Sequence, residues 1–391
     1  MDQIPSPYKP ILLIAMLGGR IQPAAVTALQ LSPDALVCIA SKDRPGAIDQ
    51  LRGVWSALGQ RSPILDARCV APMVPDEAKA TVDRFVASYA EHRPMISLTG
   101  APMPMVLGAY HAAQEHNCPA LYLNTGDGTL VDFVHVAAKR PVEISLTVEE
   151  FVVTHGATLA ACEPVGRGEQ IPERHRKVLA AMRTHMPHSM QTMAWLNAGP
   201  NLGMSVSRRW SLGREHWVMM EEFVQQGVIR GLQRRATNRG DVVSFQVPNS
   251  VDGAFLNGKW LEQYVYTEAC ASRQDGEPLF DDCAFGVKIV SNKALRELDF
   301  VGVRRATGVI ASCKTGKRAF NKDYVNEIVT VGKGLGDNYT PKLFISGSAC
   351  GNDAFLRQAH TREVVVVAQD QLACLADVLR RESMSPTFAR L

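Results

Sequence analysis

This chain of 391 residues has nine cysteines but no CxxC pair, and the nine are scattered and odd in number. That pattern excludes a structural zinc knuckle and a secreted disulfide framework. No apolar run approaches the length of a membrane span, and Met1-Asp2-Gln3-Ile4-Pro5 is neither basic nor followed by a signal-peptide pattern. A cytoplasmic, reduced protein with no membrane partner is the expectation. Strong charge is lacking too. A net charge of +3 neither requires nor excludes nucleic acid, because a local patch matters more than the sum. None of the ten histidines reads as a metal ligand or sits beside a convincing serine or cysteine partner. What is present is ample apolar material, 46% against 21% charged residues, enough for two or three domains.

Short apolar runs alternate with amphipathic stretches over residues 10–145. Ile11–Ala15, Leu36–Ala40, Met95–Thr99 and Ala120–Asn124 read as buried strands. Pro23–Leu31, Ala47–Leu58, Glu77–Ala90 and Val106–His116 read as the helices between them. Strands apolar on both faces and separated by helices imply a parallel, doubly wound α/β sheet, which binds ligands at the carboxyl ends of its strands. Three loops leave those ends: Gly18-Gly19-Arg20-Ile21-Gln22, Ser41-Lys42-Asp43, and Thr99-Gly100-Ala101-Pro102-Met103-Pro104. None is a G-x-G-x-x-G, so a dinucleotide is not indicated. The glycines permit close backbone approach, and the helix beyond Pro23 offers free N–H groups to a phosphate.

Farther along, Leu146–Ala160 reads as a strand or turn and a short helix with Thr147 as N-cap and a stop at Gly156, and residues 151–170 as the linker between domains, with Glu163-Pro164-Val165-Gly166-Arg167-Gly168 rich in glycine and polar residues. Ile171–Met186 and Arg214–Arg235 read as helices; Gly240–Pro248 and Val251–Phe255 read as strands. Arg208, Arg209, Arg214, Arg230, Arg234, Arg235, Arg239, Arg304 and Arg305 crowd this half, as a phosphate-binding surface or as solvated helix faces. Val331–Tyr339 reads as a flexible glycine loop, and Cys313 as a core residue.

An acid ends one apolar run at Asp299, and a lysine ends the next at Lys314 in Ser312-Cys313-Lys314-Thr315-Gly316. The spacing suits two antiparallel strands of a hairpin that bring both side chains to one edge. Phosphodiester cleavage needs that pair, a carboxylate for a divalent cation and a cation for water or developing charge. Upstream, Gly258-Lys259-Trp260-Leu261-Glu262 opens a helix carrying another acid. Together these pieces resemble the helix, Asp hairpin and Lys strand of PD-(D/E)xK nucleases.

With the two glycine-bearing loops ahead of it, the whole chain resembles the CARF-domain nucleases that accompany type III CRISPR systems. The resemblance implies a Rossmann-like CARF domain at 1–150 and a restriction-endonuclease-like α/β domain at 171–391. It also implies a homodimer, cyclic oligoadenylate (commonly cyclic tetra-adenylate) as allosteric activator, Mg²⁺ or Mn²⁺, and a DNA or RNA substrate. By position, Gly18, Gly19, Arg20 and Gln22 would line the first effector loop and Ser41, Lys42 and Asp43 would flank the pocket. Thr99, Gly100, Ala101, Met103 and Pro104 would face the partner subunit. Relatives tend to have T-G-G-T-K-x-M in that last loop; here Ala101, Pro102 and Met103 replace Gly, Thr and Lys.

In the catalytic reading Asp299 and Glu262 hold metal and Lys314 positions water or steadies the phosphorus. Ser312 stands where these nucleases carry an acid, and serine is a poor ligand for Mg²⁺ or Mn²⁺. Glu297 or Glu327 is the substitute carboxylate to look for. A sensor with a decayed nuclease domain and an ungated restriction-type endonuclease stay open as alternatives.

Overall fold

The computed structural model describes residues 9–59, 64–135, 139–160, 165–186, 188–197, 205–291, 294–316, 319–336 and 340–384. Met1–Pro5, Glu163, Pro164 and 337–339 lie outside them.

The N-terminal sheet contains β1 (Ile11–Leu17), β2 (Ala35–Ser41), β3 (Ile64–Val70), β4 (Arg93–Ser97), β5 (Ala120–Asn124), β6 (Thr129–Asp132) and β7 (Arg140–Pro141). Its order is β3-β2-β1-β4-β5-β6-β7, parallel through β5 and antiparallel at β6 and β7. Helices α1 (Gln22–Leu31), α2 (Ala47–Ala57), α3 (Pro75–Ser88) and α4 (Met103–Glu115) connect the strands. The interior of β1 and all of β2 are buried, which is why both read as unbroken apolar runs. The order reverses between β1 and β4, so the loops leaving these two strands stand side by side at the switch point.

Residues 151–170 carry more structure than a linker. Helix α5 (Val148–Thr154) starts with a Thr147–Glu150 capping box, and β8 (Thr158–Leu159) pairs with the C-terminal sheet. Arg167 grips Glu149 at 2.8 Å and also Asp282, pinning the segment to that sheet.

The second half continues through α6 (Glu173–Thr184), α7 (His188–Asn197) and β9 (Ser205–Arg209), then a 3-10 turn (Arg214–His216), α8 (Trp217–Gln225), β10 (Arg230–Arg235) and β11 (Val242–Gln246). The last two pair with β9 as a small antiparallel sheet in the order β10-β11-β9. The helix expected over Arg214–Arg235 therefore ends at Gln225, and its arginine-rich end is a strand. The strand expected at Val251–Phe255 is instead a helix, α9 (Ser250–Ala254), because the Asn249 side chain accepts from the Asp252 N–H and starts a turn. A π turn over Phe255–Lys259, with Gly258 at φ 141°, leads into α10 (Trp260–Ala271).

After the short β12 (Arg273–Gln274) and β13 (Glu277–Pro278), the main sheet forms from β14 (Asp282–Ser291), β15 (Ala294–Arg304), β16 (Thr307–Lys314), β17 (Lys342–Ser346) and β18 (Val364–Val367). Its order is β18-β17-β16-β15-β14-β8. Helices α11 (Lys322–Gly334), α12 (Asp353–Thr361) and α13 (Leu375–Met384) complete the layers. Val331–Gly334, expected in a loop, is the last turn of α11. One apolar core runs continuously from β1 and α1 through Phe151 to Ile310 and Phe344, so the two halves share packing.

Candidate functional site

The hairpin β15–β16 brings Asp299 and Lys314 together, with Lys314 Nζ 3.1 Å from Asp299 Oδ2. Ser312 Oγ donates to the same oxygen at 3.2 Å, and the Cys313 backbone N–H at 2.6 Å. All three donors converge on Oδ2; Oδ1 carries none of these bonds. Opposite Asp299 the ladder opens. Phe285 pairs with Phe300 and Val287 with Leu298, but Gly286, at φ 59°, stands unpaired between them. A Cβ on Gly286 would lie 4.0 Å from Glu262 Oε2, which locates the helix acid over this gap. Gly258 is needed where α10 begins, because a Cβ there would lie 2.8 Å from Thr315 Oγ1 at a φ forbidden to other residues.

The electrostatics are those of crowded acids. Burial, and then the charge of Asp299, push the Glu262 carboxyl up to about 7; Glu297 adds to this while Lys259 and Lys314 oppose it. Burial alone would lower the Lys314 ammonium, but the charge and hydrogen bond of Asp299 outweigh it and hold the group above the usual lysine value. Lys314 also lies 5.2 Å from the Tyr324 ring centroid and feels Glu327 on the same helix. Cys313 is buried in the core, as expected.

Asp299 and Glu262, with exposed Glu297 nearby, supply hard oxygen donors where too few cations balance the acids, and that donor set fits Mg²⁺ or Mn²⁺. Ser312 serves as a donor that orients Asp299. Of the two carboxylates expected to substitute at 312, Glu297 bears on Glu262 and Glu327 on Lys314 through their charges.

A second site lies at the switch point. A cavity of about 650 Å³ is lined by Gly19, Arg20, Gln22, Thr99, Gly100 and Ala101, joined by Arg44 and Tyr122. Backbone packs on backbone here. A Cβ on Gly18 would meet the Gly100 carbonyl oxygen at 2.4 Å, and one on Gly100 the Arg20 carbonyl at 2.7 Å with φ at 105°. Gly18 thus holds the loops together without lining the cavity. Ser41, Lys42 and Asp43, expected to flank the pocket, are not among its lining residues. Ser41 is buried and accepts from the Asp43 N–H, and Lys42 pairs with Glu77 at 3.1 Å. Met103 and Pro104 form the first turn of α4, with Met103 67% exposed.

The far wall comes from later in the chain, from His155 in the connecting segment and from Ala306, Thr307, Gly308, Lys333 and Gly336 in the second half. The β15–β16 turn enters the N-terminal layer, where Gln22 Nε2 donates to the Ala306 carbonyl at 3.4 Å and Phe151 fills the space beside Gly308. One hairpin therefore touches the cavity at its turn and carries Asp299 and Lys314 at its other end, about seven residues or ~23 Å away. Arg304 and Arg305 sit at that turn, not near Asp299. The described lining has three cations, Arg20, Arg44 and Lys333, and no carboxylate.

His155 donates from Nδ1 to the Phe151 carbonyl at 2.8 Å, and burial lowers its imidazole to about 4, so it is neutral at pH 7 with an accepting Nε2. A base whose folded pKa lies below its unfolded value of 6.5 contributes nothing to pH dependence above 6.5. Stability is lost as pH falls from 6.5 toward 4, because only the unfolded chain takes the proton. Partial exposure limits the loss to about 2 kcal/mol. Unfolding free energies from urea titrations at pH 7 and pH 4.5 should differ by this amount more in the wild type than in His155→Asn.

Residues 251–385 match the model of the Card1-like endonuclease domain. No curated protein sequence matches the chain. Three solved structures share the fold. Can2 from Sulfobacillus thermosulfidooxidans, in complex with cyclic tetra-adenylate, is 14% identical with a TM-score of 0.71 over 96% of this chain and 97% of that one. Protein VC1899 from Vibrio cholerae is 13% identical with a TM-score of 0.74 over 96% and 99%. A type III CRISPR defence DNA nuclease activated by cyclic oligoadenylate is 16% identical with a TM-score of 0.51, over 88% of this chain and 47% of that longer one.

Proposed function

We propose that this chain, which has the fold of CARF-domain CRISPR ancillary nucleases and a Card1-like endonuclease domain at 251–385, is a metal-dependent nuclease switched on by a cyclic oligoadenylate. The observation that carries the proposal is the single hairpin whose turn lines the anion-suited cavity and whose body carries Asp299 and Lys314. Residues 1–150 act as receptor, 171–391 as nuclease, and 151–170 as the packed segment between them.

Asp299 and Glu262 would hold Mg²⁺ or Mn²⁺, which when bound would stabilise charge on the scissile phosphate. Lys314, fixed by Asp299 and Tyr324, presents its ammonium to the attacking water or to a phosphate oxygen. Ser312 holds the Asp299 carboxylate in place. Substrate reaches the site from the side of the small β9–β11 sheet, on which Arg209, Arg230 and Arg235 are exposed, with Arg239 exposed in the connection before β11.

In the cavity, Arg20, Arg44 and Lys333 neutralise phosphates while His155 Nε2 accepts from a base amine or ribose hydroxyl. Cyclic tetra-adenylate, the ligand in the Can2 structure, carries four phosphates, more than three cations balance. A second copy related by a two-fold axis would bring the number of cations to six. Exposed Met73, Val74, Met103 and Leu107 support that copy, because the close approach of Gly108 to Pro75 sets the starts of α3 and α4 side by side. Leu107→Asp should convert the dimer to a monomer by light scattering and lower effector affinity at least tenfold; a dimer that persists would remove this face.

The test of the whole reading is incubation with labelled single- and double-stranded DNA and RNA, with Mn²⁺ or Mg²⁺, with and without cyclic tetra-adenylate. Cleavage that requires both metal and effector supports it. Binding without cleavage assigns a sensor, and cleavage indifferent to effector assigns an ungated nuclease.

A further inference from the structure

Away from the Asp299 corner, three donors that sequence spacing did not pair meet beside the small sheet. His188 at the start of α7, and Glu215 and His216 in the 3-10 turn, place one ligand atom each within 4.8 Å of one another. The His188 and His216 rings meet edge to face, with centroids 4.9 Å apart. His216, whose side chain is only 6% exposed, has Nε2 against Gln191 Oε1 at 2.5 Å. Gln191 is thereby the acceptor, so the ring proton sits on Nε2 and the Nδ1 lone pair points elsewhere. It points toward Glu215 Oε1, 3.2 Å away, yet Nδ1 has no hydrogen-bond partner. His188 Nδ1 is likewise buried without a partner. A proton shared between His216 and Glu215 would satisfy that pair alone, whereas a cation would engage His188, Glu215 and His216 together.

We propose that His188, Glu215 and His216 form a site for a borderline divalent transition metal, Zn²⁺ foremost, which clamps the start of α7 to the 214–216 turn. Two histidines and one carboxylate are a zinc donor set, with the fourth position left to water on the exposed side of Glu215. The 3.2 Å gap between His216 and Glu215 already matches adjacent ligands on a tetrahedral ion, and the orienting bond from Gln191 is the outer support such histidines require. Gly213 completes the cradle. The Glu215 carboxylate folds back so far that a Cβ at 213 would lie 2.1 Å from Oε1, while the backbone there, at φ −65°, accepts any residue. Gly213→Ala therefore displaces the carboxylate without straining the chain.

The test uses the full chain carrying Asp299→Asn and Glu262→Gln, so that metal at the nuclease corner does not contribute. Zn²⁺ titration against a chromogenic chelator should show one equivalent bound tightly, and Co²⁺ should give the visible absorption of a low-coordinate nitrogen–oxygen site. His188→Asn and Gly213→Ala should each weaken Zn²⁺ at least about 100-fold with unchanged far-ultraviolet circular dichroism. Binding weaker than about 10 µM in the parent, or affinity unchanged in both variants, would overturn the proposal. Neither result bears on cleavage.

Discussion

Lys314→Ala will slow cleavage at saturating effector by at least about 1000-fold, with the effector dissociation constant unchanged within about twofold. The lysine, with Lys259, is one of two cations near three acids and the one bonded to Asp299, and its side chain is only 25% exposed. Removing it leaves developing negative charge beside Asp299, Glu262 and Glu297. It does not undo the hairpin, because Asp299 keeps its bonds from Ser312 and from the Cys313 N–H. Asp299→Asn should lose as much by a different route, as a hard cation loses its main charged ligand. Single-turnover rates with Mn²⁺, read beside calorimetric effector binding, separate these from a folding defect. Activity within tenfold of wild type in both variants would remove the site.

Arg20→Ala will raise the effector concentration for half-maximal cleavage about 10- to 100-fold while leaving the saturated rate unchanged. A charge-assisted contact to phosphate contributes about 1.5–3 kcal/mol, and each 1.4 kcal/mol is tenfold. The loop lacks the lysine common at position 103, so Arg20 carries a larger share of the phosphate charge. Gly100→Ala acts on the same equilibrium through shape, since its Cβ would sit 2.7 Å from the Arg20 carbonyl and force the two loops apart. Dose–response curves for both variants check this, and an unshifted midpoint in each would count against the cavity as receptor.

Much of this was legible because burial writes itself plainly in strands. Ile11–Ala15 and Leu36–Ala40 are apolar on both faces, and the order of Glu262, Asp299 and Lys314 foreshadowed their meeting. Arg230–Arg235 misled because it lies on an exposed sheet, where Gly231, Gln233 and the arginines give no alternation of apolar residues. Val251–Phe255 misled because a side-chain cap, invisible to hydropathy, decided helix over strand. Lys42 was assigned to a ligand and instead found Glu77, a long-range pairing that local sequence does not encode. The far wall of the cavity was hidden for the same reason, since His155 and Lys333 belong to segments that spacing in the first half says nothing about. The tight turn at Arg305-Ala306 carries positive φ at two residues that are not glycine, where about 1–2 kcal/mol each is the usual cost.

Asp299 and Lys314 sit on paired strands and are bonded to each other at 3.1 Å, so the geometry of the proposed cutting edge is set by the sheet itself. Activation then has nothing to assemble at that edge. On the proposed reading the effector would act on how nucleic acid comes to Asp299 and Lys314, so restraint lies in the approach to the blade and not in its sharpness.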